Sequence, residues 1–526
     1  MTTQSTPAGI GPAGAAVRRL RSLPPLRLLA LAVPVAVFAA IPLIFIVVYS
    51  FETGWSSIRP LVFRPLIAEL LGNTLALCAT ATGCCVLLGS ALAWIVERTA
   101  LPGRTIWLAF LSAPLAIPAF INSYAWITVR PELDGLLAST IVTTLSYYPF
   151  VLLPVAAALR GLDPALEESA RSLGSGPWRV YFRIVLPQLR VPILGGALLV
   201  ALHLLAEFGA IEQLRFPTFT TAIIAQYEST FASTAANMLA AVLVVCCLIF
   251  VSLEVLLRGR VRTSRVGSGA ARRAVAVRLG WRVVPIVVGL LAVLALAIGV
   301  PAYSVVYWLT FTSASAWQPD VILPVLWSTL RLGAYAAVAA VVIGFPVAWL
   351  AVRYRSALST SLERSTYLAS SVPGVVVGLS LVTASIRYAR PLYQTTILAV
   401  AAYVMLFLPR AMVNLRSAIG QAPPVLDEVS RSLGQSALST FRRVTVPLAA
   451  PGILAAVALV FLAVTTELTA TLLLAPTGTH TLATEFWSAT AEIDYPRAAP
   501  FAVCMIGLSL PAAYLLMRQS ARGATQ

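Results

Sequence analysis

The chain alternates between long apolar runs and short polar stretches. Most apolar runs hold about 20 residues, the length at which an α-helix crosses the hydrocarbon core of a bilayer. The pattern therefore predicts twelve membrane-spanning helices, six in each half of the chain. The predicted spans are 28–49, 70–96, 106–129, 136–159, 191–210, 234–257, 283–311, 323–352, 366–386, 395–415, 452–474 and 498–517.

Composition agrees with this pattern. Of the 526 residues, 59% are hydrophobic and 11% are charged, and the mean hydropathy is +0.88. Such a chain cannot assemble a water-soluble surface, so we predict an all-α polytopic membrane protein in contact with lipid. The net charge of +17 would suggest nucleic acid as a partner of a soluble protein. Here the charges lie between the apolar runs, so we expect no nucleic-acid partner.

The arginines predict the topology. All 37 basic residues are arginine, and several precede the first apolar run, which is too long for the core of a cleaved signal peptide. With the N-terminus in the cytoplasm, 29 arginines fall on the cytoplasmic side and eight outside, as the positive-inside rule requires. The eight outside are Arg59, Arg64, Arg130, Arg215, Arg331, Arg387, Arg390 and Arg497. Both chain ends, 1–27 and 519–526, are therefore predicted to be cytoplasmic tails.

One polar stretch occurs twice. Residues 166–187 (insert 1) recur as residues 426–447 (insert 2), on the predicted cytoplasmic side. Glu168, Arg171, Ser172, Leu173, Gly174, Arg183 and Pro187 recur as Glu428, Arg431, Ser432, Leu433, Gly434, Arg443 and Pro447. Repeats of six spans each keep the same orientation in the membrane, so we predict two parallel six-helix repeats.

The repeat divides the chain into two predicted domains. The first covers 28–257, with a core of about 70–257, and the second covers 283–518, with a core of about 325–517. An arginine-rich cytoplasmic linker, 258–282, joins them near the lipid headgroups.

Each insert is predicted to be a short helix that ends at a glycine. Asp163 and Pro164 suit a helix start, and Gly174 suits a left-handed residue that ends it. One such segment alone would fit an amphipathic helix lying on the membrane surface. Two copies that keep glutamate, arginine and glycine at identical spacing favour specific docking to a partner.

The inserts resemble the cytoplasmic loop of the permeases of ABC importers. In that family the loop reads Glu, five residues, Gly, nine residues, a branched apolar residue, one residue, an apolar residue and Pro. The resemblance implies that each insert docks into one of two copies of an ATPase subunit, and that an extracytoplasmic solute-binding protein delivers the substrate. The implied docking residues are Glu168, Ala170, Arg171, Gly174 and Pro187 in insert 1, and Glu428, Ser430, Arg431, Gly434 and Pro447 in insert 2.

Within that family, the fused double-length form resembles the iron(III) permeases. The resemblance rests on residues 466–478 and 481–484. The iron family typically opens this stretch with Lys-Glu-Leu-Pro, from which Thr466 and Thr469 depart. Thiamine permeases are also fused, and polyamine permeases share part of the pattern, so both remain alternatives.

The absence of lysine indicates that the energy for transport comes from a separate polypeptide. A phosphate-binding loop needs a lysine to reach the terminal phosphates, and the chain has none. We therefore predict a transport subunit in the cytoplasmic membrane that has no cofactor and is not itself an enzyme. A secondary transporter with six plus six helices is the rival class. Its signature Asp-containing loop between the second and third spans is absent from residues 97–104.

Two carboxylates lie inside predicted spans. Glu207 and Glu467 follow Pro187 and Pro447 by 20 residues each, in equivalent helices. A carboxylate in a membrane helix is costly and normally faces a protein interior or a wet cavity. Both glutamates are candidates for the translocation path, and a bond to a neighbouring helix is the alternative. No metal-ligand pattern involves the six cysteines or His203, which we interpret as packing residues.

Overall fold

The computed structural model describes residues 25–230, 233–258, 277, 279–311, 317–354, 356–368 and 372–522. Within these ranges the chain consists of helices joined by turns and short loops, and the one extended contact is an isolated bridge between Thr99 and Val277. The predicted all-α class is confirmed. Most of the predicted N-terminal tail 1–27 and of the linker 258–282 lies outside the described residues.

The first half contains thirteen α-helices, separated by short turns. They are α1 (Leu26–Thr53), α2 (Trp55–Val62), α3 (Pro65–Arg98), α4 (Arg104–Ser112), α5 (Ala119–Val129), α6 (Gly135–Tyr147), α7 (Pro149–Gly161), α8 (Ala165–Ser172), α9 (Pro177–Val180), α10 (Leu186–Ala206), α11 (Gly209–Gln213), α12 (Phe219–Thr230) and α13 (Ser233–Arg258).

The second half repeats much of this order. Its helices are α14 (Val283–Leu294), α15 (Val300–Phe311), α16 (Pro319–Arg353), α17 (Ala357–Leu368), α18 (Gly374–Tyr388), α19 (Thr396–Gly420), α20 (Pro424–Ser432), α21 (Ala437–Thr440), α22 (Val446–Thr465), α23 (Thr469–Leu474), α24 (Leu482–Ala491) and α25 (Tyr495–Arg522).

Fewer continuous spans form than the apolar runs predict. Among the described residues, eight helices are long and apolar enough to cross a membrane, and two bent pairs raise the number to ten. The other two predicted spans fall on α17 with α18 and on α25. The 15-residue α18 is apolar but short, and the side chains after residue 511 of α25 lie outside the described part.

Prolines explain where the predicted spans break. The predicted span 106–129 bends by 91° between α4 and α5, where Pro118 begins the second helix. The predicted span 136–159 bends by 41° between α6 and α7, at Pro149. Pro373 likewise begins α18 inside the predicted span 366–386. A proline ring fixes its own φ and disfavours helical geometry in the residue before it, so an apolar run need not be one helix.

The same three-helix core forms in both halves. Helices α3, α7 and α10 pack together in the first half, and α16, α19 and α22 do so in the second. Gly89 of α3 recurs as Gly344 of α16, and both lie at these contacts. A Cβ atom on Gly89 would lie 2.8 Å from the carbonyl oxygen of Tyr148, and one on Gly344 would lie 3.0 Å from Leu408. The repeated glycine therefore permits close helix packing.

The first helix of each half packs on the opposite half. Helix α1 contacts α16, α17 and α18, and Glu52 of α1 forms an ion pair of 2.5 Å with Arg387 of α18. In the second half the first span consists of α14 and α15. Helix α15 contacts α5 of the first half, and the Ser304 hydroxyl donates to the carbonyl oxygen of Ala125 at 2.8 Å. These exchanged helices fasten the two repeats to each other.

Candidate functional site

Each insert forms a short helix closed by the glycine that the sequence indicates. Helix α8 of insert 1 ends at Gly174, whose φ is 80°, and α20 of insert 2 ends at Gly434, whose φ is 83°. In insert 1 the amides of Gly174 and Ser175 donate to the carbonyl oxygens of Arg171 and Ala170, each at 3.0 Å. Insert 2 repeats both bonds. This is the Schellman ending that left-handed glycines provide, and it gives the two inserts the same shape.

The predicted docking residues divide into exposed and supporting positions. Glu168 and Glu428 are exposed, as are Arg171, Arg431 and the two helix-ending glycines. Beside them Leu173 and Leu433 expose 85% and 76% of their surface. Charged groups around an exposed leucine form a surface suited to a protein partner.

The remaining docking residues hold each insert in place. Ala170 is half-buried, and Ser430 is buried with its hydroxyl 2.9 Å from that of Thr440. Pro187 and Pro447 lie in the first turns of α10 and α22.

A widened helical turn precedes both prolines. Residues Tyr181–Val185 and Phe441–Thr445 form π-helical turns at equivalent places in the two inserts. Proline has no N–H group and its ring presses on the carbonyl group four residues earlier, so the regular hydrogen-bond ladder is interrupted there. Such π-turns often occur at functional sites.

A second acidic residue, immediately before the docking glutamate, points inward in both inserts. Glu167 forms an ion pair of 2.8 Å with Arg98 at the end of α3. Asp427 forms one of 3.0 Å with Arg353 at the end of α16. These pairs cannot be recognised from the positions that are identical in both inserts, because this position has Glu in insert 1 and Asp in insert 2.

The two glutamates predicted inside the membrane line one cavity. This central cavity has a volume of about 410 Å³, and both Glu207 and Glu467 lie on its wall. Its walls come from both halves, including His203 of α10, Arg410 of α19 and Tyr367 of α17. Sequence reasoning did not single out Arg410, which has no counterpart in the first half, where Val155 occupies the equivalent position.

Both carboxylates also cap a helix. A Glu207 carboxylate oxygen accepts from the amide of Ala210 at 3.0 Å, and Glu467 accepts from Ala470 at the same distance. The hydroxyl of Tyr147 donates to the other oxygen of Glu207. Each glutamate therefore caps the short helix that follows it, and helix bracing and cavity lining are combined in one residue.

The wall of the central cavity runs back from the two carboxylates toward insert 1. It includes Leu199 of α10 and Gly209 of α11, and α10 begins within insert 1, at Leu186. Eight residues of helix separate Leu199 from Glu207, which is about 12 Å at 1.5 Å per residue. The cavity therefore extends from the two carboxylates toward the face that carries the inserts.

Aromatic side chains close the opposite end of the cavity. Phe208 packs against Trp487 with ring centroids 4.9 Å apart, and Phe120 packs against Phe486 at 5.5 Å. Tyr124 meets Phe486 edge-on at 5.3 Å. We call these five residues the aromatic seal, and their contacts join the first half to the second.

A smaller recess lies beyond the aromatic seal. It has a volume of about 360 Å³ and is lined by Asp134, Glu212, Arg215 and Trp487. Burial raises the pKa of the Glu212 carboxyl above its ordinary value, and the nearby Glu228 carboxylate acts in the same direction. Within the described ranges, no group of three or more His, Cys, Asp or Glu side chains could hold a metal ion.

Comparisons with known proteins agree with this architecture. The family model of the binding-protein-dependent transport system inner membrane component matches residues 7–263 and 340–522. The Fe(3+)-transport system permease protein FbpB 2 of Haemophilus influenzae is 36% identical over 498 residues, which are 94% of this chain and 98% of that protein.

Two further relatives are more distant. The ferric transport system permease protein FbpB of Actinobacillus pleuropneumoniae is 24% identical over 74% of this chain and 59% of its own length. The molybdenum transport system permease protein ModB of Escherichia coli is 31% identical over 22% of this chain and 58% of its own length. The chain belongs to the family of binding-protein-dependent transport system inner membrane components.

Proposed function

We propose that this permease carries ferric iron across the cytoplasmic membrane, driven by ATP hydrolysis in a separate subunit. Two copies of that ATPase dock on inserts 1 and 2, and an extracytoplasmic solute-binding protein delivers the iron. Support comes from the Fe(3+)-transport permease of Haemophilus influenzae, which aligns over nearly the whole chain. The domain division predicted above, with permease domains 28–257 and 283–518, is part of this proposal.

The observation that carries the substrate class is the charge on the central cavity. Its wall holds two carboxyl groups, Glu207 and Glu467, against one guanidinium group, that of Arg410. A low-dielectric cavity focuses the field of such groups and concentrates ions of the opposite sign. The excess of acid favours a cationic substrate over the oxyanion named for the molybdenum relative.

The direct test is uptake by the reconstituted complex. The permease, its ATPase and its binding protein would be placed in vesicles with internal ATP, and entry of labelled ferric iron would be measured. We expect iron uptake that requires ATP and the binding protein, and that excess thiamine, putrescine or molybdate leaves unchanged. Inhibition by one of these compounds, or uptake without ATP, would contradict the iron assignment or the ATP-driven mechanism respectively.

The topology can be tested at two exposed positions. Trp281 and Ile493 expose 78% and 73% of their surface and lie on opposite predicted faces. In a permease whose native cysteines are replaced, Trp281→Cys should react with an impermeant thiol reagent only after the cells are opened. Ile493→Cys should react in intact spheroplasts because it lies outside. Labelling of Trp281→Cys in intact spheroplasts would contradict a cytoplasmic linker.

The aromatic seal is proposed to be the closed outer gate in this conformation. Replacing both Phe208 and Trp487 by alanine removes an inter-half ring contact worth about 1 kcal/mol beyond its buried area. We expect passive, ATP-independent leakage of small cations from loaded vesicles to rise about fivefold, the factor equivalent to that energy. Trp327→Ala, on the exposed surface of α16, is the control and should not leak. Equal leakage from both variants would remove the gate assignment.

A further inference from the structure

We propose that the ion pairs Arg98–Glu167 and Arg353–Asp427 transmit movement of the docked inserts to the cavity. Their four residues are positioning residues. This inference rests on the proposed function, because it assumes that an ATPase docks on the inserts. It assigns different roles to two adjacent acids. Glu168 and Glu428 face the partner, whereas Glu167 and Asp427 attach the docking helix to the membrane core.

The geometry of insert 1 supports this assignment. Arg98 and Glu167 expose only 4% and 7% of their side chains and lie 2.8 Å apart. The guanidinium group of Arg98 also lies over the ring of Trp94, 5.9 Å from its centroid. Trp94 in turn meets Tyr181, in the π-turn of insert 1, edge-on at 4.9 Å. Arg98 and Trp94 together therefore join both ends of the insert to the C-terminal part of α3.

Insert 2 repeats the arrangement with different side chains. Asp427 lies 3.0 Å from Arg353 and also accepts a hydrogen bond of 2.8 Å from the Thr445 hydroxyl. Arg353 lies 5.0 Å from the centroid of the Trp349 ring, and Trp349 meets Phe441 at 5.6 Å. The ion pair is thus present in both inserts, although insert 2 has Asp in place of Glu and Phe in place of Tyr. A contact that is present in both repeats with different side chains favours a role for the contact itself.

Stability alone does not explain the buried pairs. A buried ion pair contributes to stability only when all its polar atoms are satisfied, and apolar residues of similar size often serve as well. In both pairs the arginine Nε atom is buried and has no hydrogen-bond partner among the described residues. In each pair the opposite charges are therefore close together, but the hydrogen bonding of the arginine is incomplete. A small movement of the docking helix could complete or break them.

The pairs also provide a packed route from the docking helices toward the cavity. Arg98 and Arg353 end the long helices α3 and α16, which pack directly on α10 and α22. Helix α10 leads into Glu207 and α22 leads into Glu467. The covalent path from each docking helix to these helices runs through a π-turn, where the regular α-helical hydrogen-bond pattern is interrupted. The ion pair bypasses that turn and connects the docking helix to the core directly.

The test separates coupling from docking and from folding. Glu167→Gln with Asp427→Asn keeps the size of both side chains and removes both charges, while Glu168 and Glu428 stay in place. In reconstituted vesicles with ATPase and binding protein, we expect the ATPase to co-purify and basal hydrolysis to stay within about twofold. Iron uptake per ATP hydrolysed should fall about tenfold, near the upper range for residues that carry coupling.

A conservative variant provides the rescue. Glu167→Asp copies the acid that insert 2 uses at this position, and we expect its uptake per ATP to stay within about twofold of the unmodified complex. The ratio is measured per assembled complex, so lower yield of a variant does not affect it. An unchanged ratio in Glu167→Gln/Asp427→Asn would overturn the proposal, even if its thermal stability fell. Failure of the ATPase to bind the unmodified permease would instead contradict the proposed function.

Discussion

Replacing Glu168 and Glu428 together by arginine should abolish ATP-driven uptake while the permease stays folded in the membrane. Both glutamates are exposed on the docking helices, so their replacement breaks no buried contact. An exposed ion pair is worth at most about 1 kcal/mol, so loss of attraction alone would be mild. The larger effect should come from placing a positive charge in a partly desolvated cleft that receives a glutamate, where like charges cost several kcal/mol.

The measurement is uptake in vesicles together with ATPase co-purification. We expect uptake to fall about a hundredfold or more, because several kcal/mol of repulsion at each of two sites weakens docking by that factor at least. Asp320→Arg makes the same charge change at an exposed position on the opposite predicted face and is the control. Normal ATPase binding and uptake in the double variant would show that the inserts do not dock through these glutamates.

The shape of the two inserts could be predicted because it is repeated. Gly174 and Gly434 both have left-handed φ angles. Glycine adopts this conformation easily, so a glycine at the same spacing in both inserts predicts the same helix ending. The inward-facing acid could not be found in the same manner. Glu167 and Asp427 differ between the inserts, and their arginines lie about 70 residues earlier, so only the fold brings each pair together.

Three of the predicted spans are not single straight helices, for a related reason. Apolar length predicts that a segment is buried in lipid or protein, but it does not predict that the segment is straight. Pro118 and Pro149 interrupt two predicted spans, and Pro373 shortens a third. The sequence alone does not distinguish a proline that begins a helix from a proline inside one. Helices α7 and α19, for example, contain Pro154 and Pro409 in their interiors.

Of the central cavity, the sequence indicated only the two carboxylates. Glu207 and Glu467 stood out because a carboxylate inside an apolar run is costly. Arg410 did not, since it lies in the half of α19 that leads to insert 2, has Arg416 nearby and has no counterpart in the first half. Its guanidinium group lies 5.2 Å from the centroid of the Phe407 ring and faces the central cavity. The sign of the cavity's charge depends on all three residues.

Removing both carboxylates with Glu207→Gln and Glu467→Gln should weaken uptake without disrupting assembly. The glutamine side-chain oxygen can still accept from the amides of Ala210 and Ala470, so the helix caps are kept while the charge is lost. Charged clefts raise the local concentration of counter-ions about tenfold to a thousandfold. We therefore expect iron uptake at limiting substrate to fall at least about tenfold, and uptake at saturating substrate to fall less.

Two companion variants decide between an electrostatic role and helix bracing. Glu254→Gln removes a buried carboxylate of α13 that does not line the central cavity, and uptake should stay near that of the unmodified protein. Arg410→Gln removes the guanidinium group of Arg410 from the cavity wall and makes the cavity more negative. It should therefore raise or preserve uptake at limiting iron, whereas the double glutamine variant should lower it. If Arg410→Gln and the double glutamine variant both reduce uptake equally at all iron concentrations, the field of the cavity is not what moves the substrate. Both glutamates would then act only as caps of α11 and α23.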